Sequence, residues 1–108
     1  MTDEEWERYI TFSDWKVRTD VAYSETTPLW VLEKMVKDED IWVLHSLIRN
    51  TNSTTKMLDN IMEVALFRNY CFISESIALH PKCSESTYLK YRAYNKFKDH
   101  ISNRHIKS

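Results

Sequence analysis

The chain has 108 residues, 43% of them apolar and 13% aromatic, with no glycine and a net charge of −1. That is enough chain for one domain with a modest core, and too apolar for a disordered segment. Without glycine there is no phosphate-cradling loop and little support for tight hairpins, which excludes the common nucleotide enzymes and leaves an all-α fold.

In chain order, "TDEEWERYITF" opens with Thr2 and Glu5 at capping-box spacing and predicts a helix that covers one end of the domain over residues 1–13. "FSDWKVRTDVAYS" follows, with Val17, Val21 and Ala22 at i, i+4, i+5 on one helical face. The triplet returns as Val43, Leu47 and Ile48, then as Ile73, Ile77 and Ala78, and faintly as Ile101, His105 and Ile106. Between these helices, "SETTPLWVLEKM" (24–35) aligns with "NTNSTTKMLDNI" (50–61) and more loosely with "HPKCSESTYLKY" (80–91). Each copy opens a helix, with Thr27, Ser53 or Cys83 at the capping position and Pro28 suited to the first helical residue. The interval is 26 residues and then 30, the length of a helix pair, which gives units 14–40, 41–70 and 71–108. The acidic "KDED" (37–40) reads as a solvated turn that favours the N-terminus of the helix after it.

"DWKVRTDVAYSETTPLWVLEKMVKDED" (14–40) resembles a unit of the leucine-rich repeat variant family, a HEAT-like α-solenoid, in its Val-Arg-x-x-Val-Ala helix and its Thr-Pro capped "VLEKM" helix. The resemblance is good over residues 14–53 and loose beyond. Leu44 and Ser74 stand where the family has arginine, and Ser24 and His80 where asparagine is usual. It implies a short α-solenoid of about three helix pairs, a fold that binds protein partners along extended walls. Some family members hold an iron–sulfur cluster on clustered cysteines; Cys71 and Cys83 cannot reproduce one, and no cofactor is expected.

On a helical wheel Leu44 joins Val43, Leu47 and Ile48 inside, whereas Trp42 faces outward with His45, Ser46 and Arg49. The corresponding outward positions carry Lys16, Thr19, Asp20 and Tyr23 in the earlier helix, and Phe72, Glu75, Ser76 and Leu79 in the later one. Neighbouring helices pack about 8–10 Å apart, so Trp42 and Phe72 are expected side by side, with Tyr23, Arg49 and Leu79 below them. Tryptophan, tyrosine and arginine are enriched among interface hot spots, so Trp42, Phe72, Tyr23, Arg49, Leu79 and His45 form the expected partner-binding wall. The alternative is that the first helix or a connector covers it.

Chemistry finds no such support. His80 and Cys83 have H-x-x-C spacing without a second ligand pair, and His100 and His105 do not share a helix face, so no metal site is expected. There is no nucleophile elbow, no H-E-x-x-H and no paired carboxylates in apolar surroundings; an enzyme is not expected. Nucleic acid is the alternative partner, through Lys90, Arg92, Lys96 and Lys98 interleaved with Tyr91, Tyr94 and Phe97. Charge limits it: residues 1–54 carry 11 acids and 6 bases, residues 55–108 carry 5 acids and 9 bases, so the first half repels a duplex laid along the molecule. The same asymmetry allows a monomer or weak head-to-tail self-association.

No apolar run approaches the ~20 residues that cross a bilayer, and the acidic start is unlike a signal peptide. With two cysteines and no disulfide framework, the expectation is a cytoplasmic protein. The Lys, Asn, Ile and Tyr-rich, alanine-poor composition suits an AT-rich genome, such as that of a bacteriophage or a low-GC bacterium. The sequence reading is therefore a small adaptor or inhibitor, in one version a phage protein that captures a factor in the host cytoplasm.

Overall fold

Side-chain oxygens start most of the helices in this chain. A computed structural model describes residues 1–107, with side chains through Lys98. Thr2 and Glu5 form the anticipated capping box before α1 (Asp3–Phe12), and Asp14 caps α2 (Trp15–Tyr23) by accepting from Val17 N–H at 3.0 Å. α3 (Leu29–Lys34) runs on into a 3-10 turn, Met35–Lys37, and α4 (Ile41–Arg49) is capped by Asp40. Thr54 caps α5 (Thr55–Arg68); α6 (Cys71–Ala78) and α7 (Glu85–Lys107) complete the chain. No strand occurs among the described residues. Where α5 stops, Asn69 takes the left-handed conformation, φ 60°, that a glycine would fill in another sequence.

Three expectations need correction. Helix starts at the repeated connectors fall one residue later than predicted: Pro28 offers no side-chain bond, while Thr54 and Ser84 accept from Met57 and Thr87 N–H. Thr27, Ser53 and Cys83 instead turn toward the core, and the Thr27 hydroxyl donates to Val21 O at 2.7 Å. The "KDED" turn is not all solvated. Asp40 caps α4 as expected, but the Asp38 carboxylate is only 10% exposed and takes a bidentate pair from Arg18, at 2.9 and 3.2 Å. Ser46, placed on the outward face by the wheel, is buried.

α2 packs on α4 and α4 on α6; behind them the 3-10 turn packs on α5 and α5 on α7. The core runs between these two rows, from Val21, Ala22 and Val31 through Leu44, Leu47, Leu58 and Ile61 to Ile73 and Ile77. α1 lies against α2 and contributes Trp6 and Ile10 to the rim of that core. The molecule is elongated, 57 × 26 × 16 Å, with a radius of gyration of 15.6 Å against roughly 13 Å for a compact domain of this size.

One turn recurs three times along an edge. Thr27, Ser53 and Cys83 N–H groups bond to the carbonyls of Ser24, Asn50 and His80, at 3.3, 3.0 and 3.0 Å. In each copy the side chain three residues before that N–H accepts from the backbone two residues on: the Ser24 hydroxyl from Thr26, the Asn50 amide from Asn52, the His80 Nδ1 from Lys82. Asn50 adds what the other two lack. Its amide nitrogen donates to Ala22 O and Ser24 O at 2.8 and 3.0 Å, tying the end of α4 to the end of α2. Lys82 bonds back to Thr51 O and Ser53 O in the same way. The second interval is four residues longer because α5 runs 14 residues where α3 and its 3-10 turn run 6 and 3, while the connector that follows is one residue shorter.

Candidate interaction surface on the outer helix face

α4 is the middle helix of its row and is covered on three sides: Val43, Leu44, Ser46, Leu47 and Ile48 are all buried. What remains outward is Trp42, the edge of His45, and Arg49. Asp40 fixes the first turn by accepting from Trp42 N–H at 2.8 Å. Trp42 is 54% exposed, and so is Phe72 on α6.

His45 joins the two rings. Its imidazole meets Trp42 edge-on at 6.4 Å between centroids and Phe72 at 5.1 Å with a 43° tilt. Trp42, His45 and Phe72 therefore form one continuous aromatic row across two helices. Such ring pairs contribute about 0.5–1.5 kcal/mol each beyond the area they cover. The His45 Nδ1 is buried and makes no hydrogen bond within the protein. Burial, and then the charge of Arg49 one turn away, holds the imidazole below its usual pKa, so the ring is neutral near pH 7.

Tyr23, Arg49 and Leu79 are exposed, as expected of the wall, but no ring contact joins Tyr23 to the row and Leu79 ends α6 as its C-cap. The structure thus brings together three of the six wall residues and leaves the other three as separate outward positions.

The four cations expected to bind nucleic acid, Lys90, Arg92, Lys96 and Lys98, do not form one surface. Lys90 lies 3.9 Å from Glu63, and Lys98 donates to Asn69 Oδ1 at 3.1 Å while lying 3.1 Å from Cys71 Sγ. Tyr94 reaches the same Asn69 oxygen at 3.2 Å, and Tyr91 packs toward the core. Arg92 and Lys96 point outward. His80 and Cys83 are parts of the connector turn, and no group of three or more metal-binding side chains occurs among the described residues. The side chains of His100, Arg104, His105 and Lys107, with those of Ile101 and Ile106, lie outside the described residues. No helix among the described residues is long and apolar enough to cross a membrane.

Two features escaped sequence reasoning. Arg18 donates to Ser13 O as well as to Asp38, and Arg68 donates to Asp38 O and Lys37 O, so the turn before α4 is held by arginines from both neighbouring segments. The Asp38 hydrogen bonds raise the Arg18 pKa further. Nothing local marks a pairing across 20 or 30 residues. Phe12 and Phe67 are almost wholly exposed, and their isolation on polar helix faces was a signal a wheel could have found. Comparison of the chain with family models, curated proteins and solved structures finds no match.

Proposed function

We propose that this chain is a protein-interaction module, a short α-solenoid of three helix pairs behind α1, that binds a protein partner across the outer faces of α2, α4 and α6. The observation that carries the reading is the Trp42–His45–Phe72 row: Trp42 on α4 and Phe72 on α6, each half exposed, are bridged by the His45 ring between them. The threefold connector turn supports the solenoid. Exposed aromatics held in place supply contact area with little side-chain entropy left to lose on binding, which is the character of a hot spot. Tyr23, Arg49 and Leu79 extend the contact along the wall. An adaptor or an inhibitor that captures a host protein is the form this function takes. Nucleic-acid binding through α7 is the weaker reading, because Lys98 bonds to Asn69 within the chain and Lys90 stands beside the Glu63 carboxylate, away from Arg92 and Lys96.

The test is affinity capture from lysate with the wild-type chain, Trp42→Ala and Phe72→Ala, followed by binding measurements on the purified partner. Loss of ~2 kcal/mol or more of binding in each variant, with folding retained, is the expected result for a hot spot. Equal affinity in all three chains would remove the wall from the function.

A further inference from the structure

The two ends of the helix stack carry outward faces that complement each other. On α7, Thr87, Tyr91 and Tyr94 pack inward, and the opposite side presents Leu89, Ala93 and Phe97 at i, i+4, i+8, with Arg92 and Lys96 beside them. Leu89 is 55% exposed and Phe97 more so. On α1, Trp6 and Ile10 pack inward and the opposite side presents Glu5, Arg8 and Phe12, with Glu4 on its flank; Phe12 is 82% exposed. Four acids against one base on α1 give it −3, and four bases against one acid over residues 85–98 give +3. The α7 face is an apolar stripe flanked by cations, whereas the α1 face sets one exposed ring, Phe12, among carboxylates with Arg8 as the single cation; the net charges of the two helices are opposite.

We infer that the outward face of α7 docks onto the outward face of α1 of a second copy of this chain. The contact uses two different surfaces, so it is heterologous and adds copies head to tail instead of closing as a symmetric dimer. Its apolar centre sets it apart from a phosphate-binding groove, where cations without Leu89, Ala93 and Phe97 would serve. The charges steer and orient the copies while Phe12 set against Leu89, Ala93 and Phe97 supplies a small apolar contact, so the association is weak and salt-dependent. It is independent of the Trp42 row, which lies on another face.

Sedimentation velocity over a concentration series tests it. The wild-type chain should grow in size with concentration at ~20 mM salt and lose at least ~10-fold in association by ~0.5 M, where screening extends over a few ångströms only. Arg92→Glu/Lys96→Glu blocks the α7 face, and Glu4→Lys/Phe12→Asp blocks the α1 face; circular dichroism checks that both remain helical. Each blocked chain should be monomeric alone, and the two mixed should give a 1:1 dimer and nothing larger, because one free face of each kind remains. Arg8→Glu should strengthen association, and Trp42→Ala should leave it unchanged. A wild-type chain that stays monomeric at ~1 mM and ~20 mM salt overturns the inference. So does association that Trp42→Ala abolishes, or a mixture of blocked chains that does not pair. Binding of a single-stranded oligonucleotide to monomeric wild-type chain, lost in Arg92→Glu/Lys96→Glu, would reassign the α7 face to nucleic acid.

Discussion

Adjacent outward and inward positions on α4 allow a direct comparison of Trp42→Ala with Leu44→Ala. Leu44 is fully buried between the two helix rows, with Val43, Leu47 and Leu58 in the same core. Truncating such a leucine costs about 2–5 kcal/mol, the lost transfer energy plus the cavity left behind. For a domain of this size each kcal/mol moves the melting temperature by about 4–8 °C, so Leu44→Ala should melt at least ~8 °C lower. Trp42 is the larger side chain, yet half of it remains in solvent and its described ring contact is the edge of His45. The loss there is about 1 kcal/mol, from one aromatic pair and partial area, and the melting temperature should fall by less than ~8 °C. Thermal unfolding followed at 222 nm, with urea titration to check that the slope is unchanged, measures both. If Trp42→Ala unfolds the protein as severely as Leu44→Ala, the indole is part of the core and the outward wall has been misread.

Asn50→Asp should destabilise the fold by about 2 kcal/mol or more, since it keeps the acceptor for Asn52 N–H but sets a carboxylate against Ala22 O and Ser24 O; urea unfolding of this variant beside Asn50→Ala, with Asp the worse of the two, is the check. His45 gives a pH dependence of known sign. Its folded pKa lies below the unfolded value of 6.5, so the unfolded chain takes up the proton first and stability is lost as pH falls from about 7 through the lowered folded value. His45→Gln should show a shallower loss than wild type between pH ~7 and ~5, and identical profiles would mean the ring is solvated.

Local signals in this sequence were read with more success than distant ones. The capping box of α1, the inward triplets Val43, Leu47 and Ile48 and Ile73 and Ile77, and the outward rings of Trp42 and Phe72 follow from helical periodicity alone. The connector caps were misread because two candidates stand side by side at each: Thr27 and Pro28, Ser53 and Thr54, Cys83 and Ser84. Tertiary packing decides, drawing the first of each pair toward the core and leaving the second to start the helix. Ser46 was misplaced for a related reason. A wheel divides a helix into inside and outside, but a helix with neighbours on both flanks has a third kind of position, and a small polar residue fits it. The Arg18–Asp38 pair depends on the turn after the 3-10 segment folding back to α2, which no local pattern encodes.

That pair also accounts for the cation at Arg18 where the next helix has Leu44. α2 has a full helix neighbour on one side, α4, and only the edge of α1 on the other. A leucine there would leave the Asp38 carboxylate without its partner, whereas an arginine can lay its stem along the apolar rim and carry its charge to Asp38 and Ser13 O. α4, with neighbours on both sides, has no such exit, and a buried guanidinium without a partner would cost several kcal/mol. Leucine is therefore the residue that fits the middle of the row. The same enclosure leaves α4 only Trp42, His45 and Arg49 to show to solvent, and two of the three are ring residues. Tryptophan and histidine are poorer helix formers than lysine or glutamate, so neither position is filled for helix stability. What the pair adds, together with Phe72 from α6, is a half-exposed aromatic surface that spans two neighbouring helices.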